Sequence, residues 1–113
     1  MREDRMRLAD ILQAMERIRG FTATGREVFY GDLKSQEAVA FEVLKIGEAA
    51  SRVTPSFRRM HLAVPWKRLV DLRNALVHEY FRLEVGDLWA FVTEEMDELE
   101  KALRTPASER KAR

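Results

Sequence analysis

The chain has no cysteine, only three prolines and only five glycines among its 113 residues. Without cysteine there is no disulfide, no thiolate nucleophile and no cysteine-based zinc site. No apolar run approaches the roughly 18–20 residues of a membrane-spanning helix. Residues 1–7, MREDRMR, are too polar for a signal peptide and have no apolar core. A cytoplasmic address is therefore the expectation. Strand-like alternation, a glycine-rich phosphate loop and internal repeats are all missing as well. With two histidines and no clustered ligand pattern, neither a metal nor a cofactor is expected.

What is present is enough for one ordinary domain with a single core. Hydrophobic residues make up 46% and charged residues 35% of the chain, at a mean hydropathy of −0.37. The formal net charge is only +1, but it is unevenly spread. Between Arg52 and Arg82, seven basic residues face only Asp71 and Glu79, a net of +5 that leaves −4 for the remainder. Such a concentration suits an anionic ligand, and a solvated basic face is the plainer alternative.

Helical periodicity organises the whole length. Leu8, Ile11, Leu12, Met15 and Ile18 predict a helix over Asp4–Arg19 with Gly20 as its C-cap. Thr24-Gly25-Arg26-Glu27 has the pattern of a capping box and predicts a short helix ended by Gly31. Asp32 can cap a long helix reaching to about Val53. That helix has two adjacent apolar stripes, and Gly47 within it predicts the close approach of another helix, from this chain or from a second subunit. Glu48, on the same apolar stretch, reads as a buried anchor or a rim residue. Thr54-Pro55 breaks the helix, a short turn follows over Ser56–Met60, and His61 in the linking segment receives no role. The last helix is expected over Glu84–Arg104, with Leu88, Val92, Met96, Leu99 and Leu103 as its stripe. The result is an all-α architecture, an antiparallel bundle of four main helices over residues 1–104, with 105–113 a frayed basic tail.

The remaining main helix, about Trp66–His78, holds the anomaly. Leu69, Leu72 and Leu76 give the rhythm of a buried segment, yet Arg73, Asn74, His78 and Tyr80 interrupt it. Local inconsistency of this kind marks candidate functional sites. Arginine offers a planar, permanently charged fork for phosphate, and histidine moves protons near neutral pH. Together they suffice for metal-independent RNA cleavage through a ribose 2′-hydroxyl, with Asn74 orienting a ligand oxygen or the imidazole. The competing reading is a helix end where Arg73 pairs with a carboxylate and the others bond backbone carbonyls. On a regular helix Arg73 and His78 stand about 140° apart. Convergence then needs either a helix end that redirects the imidazole or a second copy facing the first across a two-fold axis.

The run Arg73-Asn74-x-x-x-His78-x-Tyr80 resembles the R-x4-H-x-Y signature of HepT-like toxins of the HEPN superfamily. Further matches are Ser35–Val39, Ile46–Arg52, Val64-Pro65-Trp66 and Leu88-Trp89, so the resemblance extends to about Arg104. Phe41-Glu42 departs from the more basic pair of many relatives. The resemblance implies a helical, homodimeric ribonuclease toxin with a composite site at the dimer cleft, Arg73 and His78 as catalytic pair and Asn74 as helper. It also implies an MntA-type minimal nucleotidyltransferase as antitoxin, which attaches AMP from ATP to Tyr80. Arg52, Lys67, Arg68 and Arg82 are the candidate RNA-binding cations. The alternative function is a non-catalytic helical module that binds a nucleotide or a partner nucleotidyltransferase.

Overall fold

A computed structural model describes residues 2–79 and 84–105 of the chain. These residues form helices and turns, with no strand among them. Helix α1 (Arg2–Thr22) buries Ile11, Met15 and Ile18 on one face. It does not stop at Gly20 as the sequence suggests. A glycine permits a left-handed cap without requiring one, and the helix runs on until the Thr22 hydroxyl donates to the Ile18 carbonyl at 2.8 Å. Helix α2 (Arg26–Tyr30) follows, but its N-cap is Gly25 at φ 99°, with no side-chain cap, so the Thr24 capping box does not form. Gly31 ends α2 as expected.

Asp32 caps helix α3 (Leu33–Ser51), its carboxylate accepting from the Lys34 backbone N–H at 3.1 Å and the Ser35 hydroxyl at 2.7 Å. The Ser35 hydroxyl is the main reason this carboxyl stays below its ordinary pKa. Helix α3 lies against both α1 and α5 (Trp66–His78), which explains its two apolar stripes. Val39, Val43, Ile46 and Ala50 are buried, and Leu33, at its exposed start, is not. A Cβ built on Gly47 would overlap that of Arg73 and stand 2.7 Å from the Leu69 carbonyl oxygen. The close approach expected at Gly47 is therefore made by α5 of the same chain.

Thr54 begins helix α4 (Pro55–Met60), its hydroxyl accepting from the Phe57 N–H at 3.3 Å, with Pro55 in the first turn. The buried Asp4 carboxylate receives the Thr54 backbone N–H at 2.9 Å and its hydroxyl at 2.7 Å, joining the start of α1 to the α3–α4 turn. Those two bonds, the backbone one first, hold the Asp4 carboxyl below its ordinary pKa. His61, without a role in the sequence, proves to be buried and stacked on Phe57 with ring centroids 4.6 Å apart. Its carbonyl receives the Trp66 indole N–H at 3.1 Å.

The last helix is not regular. Helix α6 (Val85–Ala90) passes through a π turn (Phe91–Glu95) into α7 (Met96–Arg104). The Met96 N–H donates to the Phe91 carbonyl, five residues back. Each π turn absorbs one extra residue. This returns Met96 to the line of Phe91, and both are buried with Leu88, Leu99 and Leu103 in the core shared with α1 and α3. Phe91 is thus a core residue, although it lies off the stripe expected from the sequence. Of the expected tail, residues 105–113, all but Thr105 lie outside the described residues.

Candidate active site

Helix α5 carries the candidate site and turns its faces to different neighbours. Trp66, Leu69 and Leu76 are buried, with Leu69 and Arg73 at the Gly47 crossing on α3. Lys67, Asp71, Asn74 and His78, spaced four, three and four apart, form an exposed stripe on the opposite side. Lys67 and Asp71 pair within that stripe at 2.8 Å.

Arg73 belongs to the α3 side. Its guanidinium forms an ion pair with Glu48 at 3.3 Å, and the two side chains are 26% and 42% exposed. Its Nε is buried and has no partner among the described residues. Glu48 is therefore a rim residue and not a buried anchor, partly exposed and paired with Arg73 by charge. Crowding at Gly47 fixes the Arg73 stem, and Glu48 fixes its head, leaving part of the fork open to a ligand.

His78 is the last residue of α5, and Glu79 follows as the cap, its N–H donating to the Ala75 carbonyl at 2.9 Å. Helical geometry persists through His78, so the backbone does not redirect the imidazole towards Arg73. The two remain about 140° apart around the helix. Asn74 and His78, four residues apart on the exposed stripe, are brought together instead. Neither makes a side-chain hydrogen bond among the described residues, which leaves both free for a ligand.

The candidate RNA-binding cations divide sharply. Arg68 donates two bonds to Glu95 on the π turn, at 3.0 and 2.8 Å, and this pairing raises its pKa. Lys67 is held by Asp71. Arg52, the exposed C-cap of α3, has no carboxylate in ion-pair range among the described residues. Tyr80 and Arg82 lie outside the described residues. Of the departing pair Phe41-Glu42, Phe41 is exposed and Glu42 is buried. The Glu42 carboxylate lies 3.0 Å from the Lys45 ammonium. That approach lacks the alignment of a hydrogen bond, so charge attraction is what joins them. Among the described residues, no three His, Asp or Glu side chains converge to hold a metal ion, and no helix is long and apolar enough to cross a membrane.

Comparison with known proteins gives this geometry a family. The model described as "Ribonuclease HepT-like" matches residues 11–105. A Thermococcus cleftensis protein provisionally named a ribonuclease HepT is 34% identical over 96 residues, 81% of this chain and 84% of its own. A provisionally named RNase of Caldanaerobacter subterraneus is 33% identical over 108 residues, 92% of this chain and 94% of its own. Another, from Methanocaldococcus jannaschii, is 32% identical over 98 residues, 83% of this chain and 87% of its own. No solved structure gives a significant match. On the extent of the family match and the similarity of these relatives, the chain belongs to the HepT-like ribonuclease family.

Proposed function

We propose that this protein is the toxin of a toxin–antitoxin pair, a metal-independent endoribonuclease whose site is completed by a second copy of the chain. The observation that carries this reading is the separation of Arg73 and His78 around α5 while the R-x4-H motif is complete. In a two-fold dimer, the arginine of one protomer meets the histidine of the other. The helices pack as an antiparallel bundle of four, α1, α3, α5 and the α6–α7 helix, with α3 and α5 forming the dimer face. Phe41 on α3 and Val77 on α5 are 53% and 51% exposed, and Leu33 is 66% exposed. Exposed apolar residues of this kind on helices that already pack together suit an interface.

In the reaction, the His78 imidazole takes the proton of a ribose 2′-hydroxyl. The 2′-oxygen bonds to the adjacent phosphorus, and the bond from phosphorus to the 5′-oxygen breaks. The proton held by the imidazolium is then available to that departing 5′-oxygen. The products are a 2′,3′-cyclic phosphate and a 5′-hydroxyl. The partner protomer's copy of Arg73 stabilises the charge on the phosphorane, and Asn74 orients a phosphate or ribose oxygen. For Arg73 to serve, phosphate must share or displace Glu48, which keeps the fork oriented beforehand.

Tyr80 falls two residues past His78 and is the proposed acceptor of AMP from an MntA-type nucleotidyltransferase. A bulky anion there opposes RNA phosphate near the same arginine and histidine, so modification silences the toxin through substrate binding. Tyr80→Phe is expected to remain toxic and to resist the antitoxin. Intact mass after incubation with ATP, magnesium and the partner reads this out, and an equal gain on Tyr80→Phe would remove the assignment.

The Arg73–Glu48 pair favours one competing reading, a non-catalytic module in which that pair is structural. RNA cleavage in EDTA separates the two. The toxin reading expects cleavage that falls about 100-fold or more in His78→Ala with the melting temperature retained. Cleavage abolished by EDTA, or unchanged in His78→Ala, contradicts the mechanism.

A further inference from the structure

The valley between α1 and α3, with Glu48 in its wall, opens into a groove of about 420 Å³. Arg7, Asp10 and Gln13 line it from α1, and Lys45, Glu48 and Arg52 from α3 and its cap. Three cations here face two carboxylates, and the charge of Glu48 is already met by Arg73. Lys45 is drawn to the buried Glu42. Arg7 and Arg52 have no carboxylate in ion-pair range among the described residues. The groove therefore combines a concave shape, two uncommitted guanidinium groups and a wall residue shared with the candidate catalytic arginine.

We infer that the α1–α3 groove is a phosphate subsite that holds the RNA strand next to the scissile phosphate. Arg7 and Arg52 are its anion-binding residues, each able to engage a phosphate with two donors. Asp10 and Gln13 present an acceptor and an amide to ribose hydroxyls or base edges. Glu48 lines the groove and also pairs with Arg73, so the groove and the candidate catalytic arginine meet at one residue. This rests on the ribonuclease reading above and adds to it a location for the substrate and a residue, Arg7, that lies far in sequence from the motif.

The test uses the full chain, a cleavable RNA and a 2′-O-methyl RNA oligonucleotide that cannot be cleaved. In the double variant Arg7→Ala/Arg52→Ala, KM and the Kd for the 2′-O-methyl oligonucleotide are expected to rise about tenfold or more while kcat stays within about twofold. The dependence of log Kd on log salt is expected to flatten by about 0.7 for each phosphate that the variant no longer neutralises. The single variants should show part of each change, which keeps the inference testable if the double variant folds poorly. An unchanged Kd and salt slope in correctly folded variants overturns the groove and leaves the ribonuclease reading standing. If the wild type cleaves no RNA yet binds the oligonucleotide, and the variants lose that binding, the groove stands and the ribonuclease reading falls. If the wild type does not bind the oligonucleotide, the groove falls.

Discussion

Two pairs of residues in this molecule are separated by five positions, and the chain treats them in opposite ways. Phe91 and Met96 are brought onto one line by a π turn, and both enter the core. Arg73 and His78 have no such turn between them, so regular α geometry sets them on different sides of α5. Realignment on the last helix satisfies packing, because both side chains are apolar and must be buried. On α5 the misalignment leaves Arg73 against α3 and His78 on the exposed side. The same spacing thus means core in one helix and, on the reading proposed here, a shared site in the other.

The contrast between the two helices can be broken at its packing end first. Gly47→Ala places a methyl group on the Arg73 Cβ and the Leu69 carbonyl, neither of which can yield without moving α5. Destabilisation of about 2–3 kcal/mol is expected from overpacking, read as a lower urea midpoint. Activity should fall with it, since the Arg73 stem is displaced. A variant as stable as the wild type would mean that α5 is not seated on Gly47.

Deleting Thr93 sharpens the contrast. It shortens the π turn to an α turn while leaving Phe91 and Met96 aligned at a four-residue spacing. The expected cost is about 1–2 kcal/mol, from adjustment around the turn and strain on the Arg68–Glu95 pair. Deleting Val43 from the regular α3 rotates every later buried residue and should abolish cooperative unfolding. Equal losses from the two deletions would show that the π turn is not what sets the register.

The smallest effect lies at the start of α1. The folded Asp4 carboxyl has a lowered pKa because Thr54 bonds to its ionised form. Its contribution is therefore present above the unfolded pKa near 4 and is lost as pH falls through the folded value. Asp4→Asn should lower the melting temperature modestly at pH 7 and make little difference near pH 2. A difference that grows on acidification would contradict the sign.

Much of the fold was legible because its signals are local. Helical periodicity, the Asp32 cap, the Thr54-Pro55 break and the close approach at Gly47 each depend on a few neighbouring residues. The π turn was not legible, since no residue type marks it and only the demand to bury both Phe91 and Met96 requires it. Gly20 and Thr24 misled for the same reason: a permissive residue or a capping pattern offers a boundary that tertiary packing need not use. Within the site, Arg73, Asn74 and His78 stand out by interrupting an apolar helix. The neutralisation of Arg68 by Glu95, 27 residues away, leaves no trace in local spacing. The placement of Arg7 beside Arg52 left no trace either, because only the α1–α3 packing creates it. The burial of His61 and Glu42 also depends on neighbours from distant segments.

The most direct measurement mixes two inactive proteins. Arg73→Ala and His78→Ala are each expected to lose cleavage about 100-fold or more. If the site pairs the arginine of one protomer with the histidine of the other, a heterodimer of the two variants holds one intact site and one doubly defective site. After denaturation and refolding together, random pairing should recover about a quarter of the wild-type activity. Refolding each variant alone should recover none. Activity that stays at the level of the separate variants, although heterodimers are present, would contradict a site shared between two chains.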